Sequence, residues 1–223
     1  MGQQTNFAVV LKSGGDFKIR HVWRLYEQIC FAYRKPFEFF VLTDLPDTMN
    51  IPGNYIQLQQ NLKGWFSKIE LFSFDMGRVC FNDLDVTINK PLDWVDQYST
   101  DGGLIWTMEC EHGGNPCGNL NSSTMIWHGP RPEIAKAFNP EIHVEMYSKP
   151  EPPYYGDQNF IQHHINPEQW RLLPRHYFAA YPWDIGKRWD NAKMRMYVRQ
   201  QRPWTIDGHE EPSWQFPKPN TGV

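Results

Sequence analysis

Short apolar runs alternate with turn-forming residues in the first half of the chain. Between the first two runs, apolar residues recur every three or four positions from Ile19 to Tyr33, which is the spacing of one helical face. Strands that alternate with helices are typical of an α/β fold with parallel strand pairing. Four runs predict buried strands, namely FAVVL from residue 7, FEFFVLT from residue 37, YIQL from residue 55 and RVCFND from residue 78.

The second half of the chain has a weaker pattern. GLIWTM and STMIWH predict strands that flank a Gly-rich segment at 111–121, and DQNFIQHHI predicts a helix. After about residue 181 the periodicity fades into Pro, Trp and charged residues, which predicts an irregular C-terminal segment. No internal repeat is present, so we expect one domain over 1–223 with a mostly parallel central sheet and flanking helices.

Composition and charge limit the function classes. The 223 residues are 40% hydrophobic and 15% aromatic, enough for a substantial core. A net charge of −3 and a pI near 6.2 argue against nucleic acid as a partner. The sequence has no signal peptide and no run apolar enough to span a bilayer, and the four cysteines are too few for a disulfide scaffold. These features predict a cytoplasmic protein with free thiols.

One local stretch departs from the acidic balance. Lysines and arginines are interleaved with aromatic residues in GKRWDNAKMRMYVRQQRPW. A solvated basic face is the favoured interpretation, and a site for an anionic ligand is the alternative. The basic residues are Lys187, Arg188, Lys193, Arg195, Arg199 and Arg202.

Two aspartates stand at the end of the fourth predicted strand. Val79, Phe81, Asp83 and Asp85 share one face by the two-residue period of a strand, so this face turns from apolar to acidic. Two carboxylates this close repel each other unless a cation or a shared proton lies between them. Mn²⁺ or Mg²⁺, bound through oxygen and also touching phosphate, would satisfy both. The alternative is a pair of solvated turn residues.

A second enzymatic hypothesis rests on the same residues. VCFNDLDVT resembles the D-x-D-x-T signature of haloacid dehalogenase-type phosphatases, and that resemblance implies Asp83 as the nucleophile. It also implies a later Gly-Asp followed by another Asp that binds magnesium. GDQNFIQ starts in this way but has Ile161 in place of the second Asp, and the D-x-D lies far from the start of the chain. The phosphatase is therefore the alternative to the next resemblance.

A broader resemblance covers residues 7 to about 165. The blocks VVLKSGGDF, FEFFVLTDL, KGWFSKIELFSFDMGRVCFNDLDVTINKPLDW, NLNSSTMIWHGP and GDQNFI are similar, in this order, to those of glycosyltransferase family 8 and related transferases of the GT-A fold. The resemblance implies a Rossmann-like α/β sheet, a nucleotide-sugar donor that is usually a UDP-sugar, and Mn²⁺-dependent transfer with retention. It does not identify the acceptor. A binding module that kept the fold and lost the chemistry remains a third possibility.

The resemblance also implies roles for individual residues. Asp83 and Asp85 would bind the metal, and Asp157 and Gln158 would lie against the transferred sugar as catalytic residues. A histidine of a C-terminal motif would be the third metal ligand, and His209 in DGHEEPSWQFPKPN is its best candidate, although the motif glycine is missing. The residues implied to contact the donor, in addition to Asp83, are Ser13, Gly14, Gly15, Lys68, Asn121 and Ser122.

Overall fold

A computed structural model describes residues 4–46, 48, 50–112, 115–149, 153–197 and 201–206. These residues form a mixed α/β structure. Its strands are β1 (Thr5–Leu11), β2 (Phe39–Thr43), β3 (Asn54–Gln57), β4 (Arg78–Asn82), β5 (Thr87–Ile88), β6 (Ile105–His112), β7 (Asn115–His128), β8 (Trp170–Leu172), β9 (Phe178–Tyr181) and β10 (Met194–Tyr197). Its α-helices are α1 (Ile19–Ala32), α2 (Pro132–Ala137), α3 (Pro140–Met146), α4 (Gly156–His164) and α5 (Pro203–Ile206).

Short 3₁₀-helices lie between these elements. The longest is Gly64–Ser73, which contains Lys68 and is preceded by an extended Lys63. The remaining ones are single turns or little more, at Asp93–Gln97, Asp101–Gly103, Pro167–Gln169 and Arg175–Tyr177. None of the helices in the described ranges is long and apolar enough to cross a membrane.

The central sheet has seven strands in the order β3-β2-β1-β4-β7-β6-β8. β1, β2, β3 and β4 run parallel, with Leu11 opposite Thr43 at their carboxyl ends. β7 is antiparallel to both β4 and β6. The mostly parallel α/β sheet predicted from the sequence is thus confirmed. Because ligands of such sheets bind beyond the carboxyl ends of the strands, the loops after β1, β2 and β4 define the edge of interest.

Apolar side chains cover both faces of the sheet. One core cluster packs α1 against β1 and β2 and includes Phe7, Leu25 and Ile29. The other packs the Gly64–Ser73 helix, α2 and α4 against the opposite face and includes Phe66 and Phe160. Burial on both faces explains why the parallel strands are continuous apolar runs in the sequence.

Two predictions of local structure differ from what is observed. The Gly-rich segment 111–121, predicted as a loop between strands, belongs largely to the β6–β7 hairpin, in which His112 pairs with Asn115. The pairing register shifts between Glu109 and Glu111 of β6, opposite the stretch of β7 that contains Pro116 and Gly118. This irregularity accommodates the proline and the glycine in the strand. In the C-terminal segment, β10 pairs with β5 and β9 in a second, three-stranded sheet. Its pairing partners are distant in sequence, so no local pattern indicates it.

Candidate functional site

Lys68 lies at the centre of a polar cluster beyond the carboxyl end of β4. Its Nζ lies 3.0 Å from Asp83 Oδ2, 3.0 Å from Ser122 Oγ and 3.1 Å from Asp157 Oδ2. The Ser122 hydroxyl in turn donates to Asp157 Oδ2 over 2.5 Å. The structure therefore brings together four of the residues predicted to form the site.

Each member of this cluster comes from a different element. Lys68 is carried by the Gly64–Ser73 helix, whose apolar residues fix it against the sheet. Asp83 is the first residue after β4, and its N–H donates to the Ser123 carbonyl over 2.9 Å. Ser122 lies on β7, the antiparallel neighbour of β4. The strand pairing thus sets the separation between the aspartate and the serine.

Asp157 is the second residue of α4, and the N-cap of this helix is Tyr155. Asp157 therefore lies in the first turn of the helix and does not cap it. Its carboxylate contacts Lys68 and Ser122 instead, and the positive end of the helix dipole favours its charge. The adjacent Gly156 has a φ of +64°, a left-handed conformation that favours glycine at the helix start.

The charges of this cluster stabilise one another. Burial opposes the charge of Lys68, whose side chain is only 6% exposed, but the carboxylates of Asp157 and Asp83 outweigh this effect and raise the pKa of the ammonium group. For Asp83 the effect of burial is larger than the attraction of Lys68, and its pKa is raised. Lys68 is therefore a permanent cation at neutral pH.

Asp85 lies in a different electrostatic environment. It stands in the turn after β4, and burial together with the charge of Asp83 raises the pKa of its carboxyl to about 7. The cation paired with it is Arg202, whose Nη1 lies 3.8 Å from Asp85 Oδ2. The carboxyl groups of Asp83 and Asp85 therefore lie close together, and the negative charge of Asp85 is poorly neutralised by its cation.

Asp83 and Asp85 are chemically suited to a hard divalent cation, but they supply only part of the ligands that such an ion needs. Both offer carboxylate oxygens, and the raised pKa of Asp85 indicates negative charge that a cation would relieve. In the described part of the chain no group of three or more His, Cys, Asp and Glu residues could hold a metal ion. His209, the predicted third ligand, lies outside the described residues. Asp83 and Asp85 could hold a metal only with further ligands.

Arg202 is a site residue that the sequence analysis did not single out. Its Nη2 lies 3.2 Å from Asp16 Oδ2, and its guanidinium carbon lies 5.3 Å from the centre of the Phe17 ring. The following Trp204 stacks on His21 at 3.9 Å, which fixes α5 beside α1. The available signal was the aromatic-rich basic stretch, whose last arginine reaches an acidic site rather than a solvated face.

The predicted donor loop after β1 is tied to the end of β2. The Ser13 N–H and hydroxyl donate to Asp44 over 2.7 and 2.6 Å, and Lys12 also pairs with this carboxylate. Burial opposes the charge of Asp44, but the Lys12 and Ser13 contacts prevail and lower its pKa to about 2. Gly14 has a φ of +81°, which the turn requires, and Gly15 follows it in the same exposed loop.

The remaining predicted residues border the cluster. Asn121 on β7 uses its Oδ1 to accept from the Ser123 N–H over 2.8 Å, so its side chain shapes the strand next to Ser122. Gln158 is nearly buried, and its Nε2 lies 3.5 Å from the Cys110 sulfur on β6. Neither side chain forms a hydrogen bond with Lys68. Asn121 and Gln158 are, however, the sequence neighbours of Ser122 and Asp157, which both contact Lys68.

Solved structures similar to this chain are glycosyltransferases. GlyE of Streptococcus pneumoniae TIGR4 aligns with a TM-score of 0.64 and 13% identity over 90% of this chain and 57% of its own. The bifunctional glycosyltransferase WbbM aligns with a TM-score of 0.60 and 10% identity over 92% of this chain and 47% of its own. A galactosyltransferase LgtC, in complex with donor and acceptor sugar analogs, has a TM-score of 0.58 and 12% identity over 91% of this chain and 90% of its own.

These similarities establish the fold. The chain has the GT-A type of α/β fold that the sequence resemblance implied, and it spans about half the length of the GlyE and WbbM chains. No family model matches the sequence. No curated protein matches it either. Membership of glycosyltransferase family 8 stays a prediction.

Proposed function

We propose that the protein is a glycosyltransferase that moves a sugar from a nucleotide sugar, a UDP-sugar by the sequence resemblance, to an acceptor with retention at the anomeric carbon. The observation that carries the proposal is the contact of Lys68 with both Asp83 and Asp157. This contact joins the residue implied to bind metal to the residue implied to face the sugar, at the carboxyl edge of a GT-A sheet. In the proposed site, Lys68 would thus lie between the diphosphate and the transferred sugar.

The proposed roles follow from charge and position. Departure of a nucleoside diphosphate builds negative charge on phosphate and positive charge on the sugar ring. Lys68 would stabilise the phosphate side, and Asp157 with Gln158 would stabilise the sugar side. The loop of Ser13, Gly14 and Gly15 would contact the nucleoside, and Asn121 and Ser122 would line the sugar pocket.

A divalent ion completes the proposed site. Mn²⁺ or Mg²⁺ on Asp83 and Asp85 would neutralise charge that develops on the departing diphosphate. Arg202 would add a second positive group, since it already lies 3.8 Å from Asp85. His209 remains the proposed third protein ligand, on the sequence resemblance alone. His209→Ala should then weaken metal-dependent nucleotide binding by about tenfold or more.

The phosphatase alternative agrees less well with the geometry. The second acidic residue of the phosphatase signature is replaced by Ile161, and this side chain is fully buried in the apolar core. The similar solved structures are also glycosyltransferases. Both observations favour the transferase.

Calorimetry with UDP and Mn²⁺ tests the proposal. We expect UDP to bind only when Mn²⁺ or Mg²⁺ is present, because two carboxylates are too few to hold the ion without phosphate. A panel of nucleotide sugars, assayed for metal-dependent release of nucleotide, then identifies the donor. Tight metal-independent binding of UDP, or no binding of any nucleotide, would refute the transferase.

Two further outcomes distinguish the alternatives. Hydrolysis of p-nitrophenyl phosphate that is lost in Asp83→Asn would favour the phosphatase. Nucleotide-sugar binding without release, in the presence of metal and of simple glycosides as acceptors, would favour the non-catalytic module.

A further inference from the structure

Trp65 is an exposed aromatic residue at the border of the proposed site. It lies three residues before Lys68 on the same 3₁₀-helix, and 53% of its surface is exposed. Residues three apart in a 3₁₀-helix lie one above the other, with a rise of roughly 6 Å per turn. The indole is therefore on the Lys68 face of this helix, one turn closer to its start.

The indole also borders the start of α4. A Cβ atom added to Gly156 would lie 3.5 Å from Trp65 Nε1 and 3.7 Å from Cε2. Gly156 is followed directly by Asp157, the residue proposed to face the sugar. Trp65 thus lies one helical turn from Lys68 and packs beside the residue that precedes Asp157, while its ring is not part of their hydrogen-bonded cluster.

One part of the ring is held by packing and the rest is open. The buried Phe66 ring lies 6.2 Å away in a tilted arrangement, and the Gly156 backbone lies against the indole edge. Among the described residues the indole N–H has no hydrogen-bond partner. A large, rigid and half-exposed ring with a free donor is thereby placed beside charged groups.

Exposed aromatic residues are common on protein surfaces, so exposure alone means little. Phe31, for example, is 82% exposed and lies on α1, outside the elements that carry Lys68, Asp83 and Asp157. Trp65 differs because it lies on the helix that carries Lys68 and packs against the start of the helix that carries Asp157. The position of Trp65, rather than its exposed surface, is the reason to expect a ligand beside its ring.

We propose that Trp65 is the stacking platform of an acceptor subsite that takes a pyranose sugar; this inference rests on the proposed transferase function. One face of a pyranose ring presents C–H groups, which pack against a flat indole, while its hydroxyls remain at the edge for hydrogen bonds. Trp65 supplies the flat surface and an N–H donor. The nearby carboxylate of Asp157 is an acceptor for a hydroxyl.

A sugar fits these surroundings better than a peptide. Peptides commonly bind by adding a strand to an open sheet edge or by placing an apolar helix face in a groove. Trp65 belongs instead to the Gly64–Ser73 helix and packs against the start of α4, and neither of these elements is an open sheet edge. A single aromatic ring flanked by Lys and Asp side chains matches a small ligand with one apolar face and many hydroxyls.

Saturation-transfer NMR can test the subsite without a known acceptor. The probes are methyl α- and β-pyranosides of glucose, galactose and mannose, with lactose and maltose, each added to the full chain in the presence of UDP and Mn²⁺. We expect at least one probe to bind the wild type, Trp65→Ala to raise its dissociation constant about tenfold or more, and Trp65→Phe to raise it less. Phe31→Ala is the matched control and should leave probe binding unchanged.

The outcomes separate this inference from the proposed function. If UDP binds with Mn²⁺ but no sugar binds, or a sugar binds Trp65→Ala as tightly as the wild type, the subsite is refuted and the transferase proposal stands. If no nucleotide binds in the presence of Mn²⁺ or Mg²⁺, both proposals fall. For a sugar that also accepts the transferred group, Trp65→Ala should raise the acceptor KM more than it lowers kcat, which a general loss of structure would not do.

Discussion

The two ends of the candidate site are built differently. At one end, Lys68 is 6% exposed and lies within 3.1 Å of three polar oxygens. At the other end, Asp85 is 22% exposed, its pKa is raised to about 7, and its ion pair with Arg202 measures 3.8 Å. The first end is assembled before any ligand arrives. The second has excess negative charge that a bound cation would relieve.

Because of this difference, we expect the Lys68 end to contribute to the stability of the unliganded protein and the Asp85 end to contribute to ligand binding. A buried and fully paired cluster contributes to the stability of the unliganded protein, and loss of one partner leaves the others unpaired. A poorly compensated carboxylate lowers stability and is retained because a ligand needs it. Substitutions at the two ends should therefore change stability in opposite directions.

Lys68→Met should have the largest effect. It leaves the carboxylates of Asp83 and Asp157 without their cation. We expect the free energy of unfolding to fall by about 2–3 kcal/mol, less than for a fully buried pair because Asp83 is 26% exposed. Nucleotide release should fall at least about 100-fold. Thermal unfolding and the donor assay measure the two losses.

The pH dependence of this variant provides an internal check. Without Lys68 the Asp83 carboxyl, whose pKa burial already raises, binds protons more readily in the folded state, so the variant should lose stability as the pH rises above the usual range of an aspartate. Lys63→Met, at an exposed lysine next to the same helix, is the control and should change neither quantity. Equal stability of Lys68→Met and wild type at pH 8 would contradict the importance of the cluster.

Asp157→Asn and Gln158→Ala should damage turnover more than UDP affinity. The pair is proposed to face the sugar rather than the diphosphate, so its loss should destabilise the transition state more than the complex with UDP. We expect turnover to fall about 100-fold and the UDP dissociation constant to change less than threefold. Asp190→Asn, at an aspartate that is 86% exposed, is the control. A matched loss of UDP affinity in both variants would show that the pair is misplaced.

The sequence predicted one part of this site well. Asp83 and Asp85 can be located because β4 is a local apolar run that ends just before them, although both follow the strand and Asp85 lies in a turn, where strand periodicity no longer applies. The resemblance to known transferases then supplied Lys68 and Asp157. The contact between the two could not be predicted from periodicity, because it depends on how the Gly64–Ser73 helix and α4 pack on the same side of the sheet.

Arg202 shows where the sequence analysis was insufficient. It meets Asp85 across 117 positions of the chain, and its segment has no periodicity that would fix its location. The extension of the β6–β7 hairpin into the Gly-rich segment escapes prediction for a related reason. Glycine and proline are loop signals in the sequence, whereas cross-strand pairing tolerates them at a bulge. In both cases tertiary contacts override local preference.

Asp85→Asn should stabilise the unliganded protein while it removes metal-dependent binding. Between about pH 4 and pH 7 the folded carboxyl binds a proton that the unfolded one has lost, so this group lowers stability as the pH rises. The substitution removes that penalty. At pH 8 without metal we expect a gain of at least about 1 kcal/mol, or roughly 2–4 °C in Tm.

The same variant should match the wild type below about pH 3, where Asp85 is protonated in the folded and the unfolded state. Differential scanning fluorimetry across this range measures the effect, and calorimetry with Mn²⁺ and UDP measures the loss of binding. Asp190→Asn again serves as control. A variant that is less stable than wild type at pH 8 would show that Asp85 is a structural residue.

Arg202→Gln should have the smallest effect on the unliganded protein and a selective effect on the ligand. The ion pair with Asp85 is long, and such pairs contribute about 0–1 kcal/mol, so Tm should barely change. If the guanidinium contacts the diphosphate, UDP affinity with Mn²⁺ should fall about tenfold, or about 1.4 kcal/mol, while uridine affinity stays the same. Arg195→Gln is a matched control, because Arg195 also combines a long ion pair with an aromatic contact, to Asp190 and Trp189. Equal affinities of wild type and Arg202→Gln for UDP would show that the arginine does not contact the diphosphate and serves only as a counter-charge for Asp85.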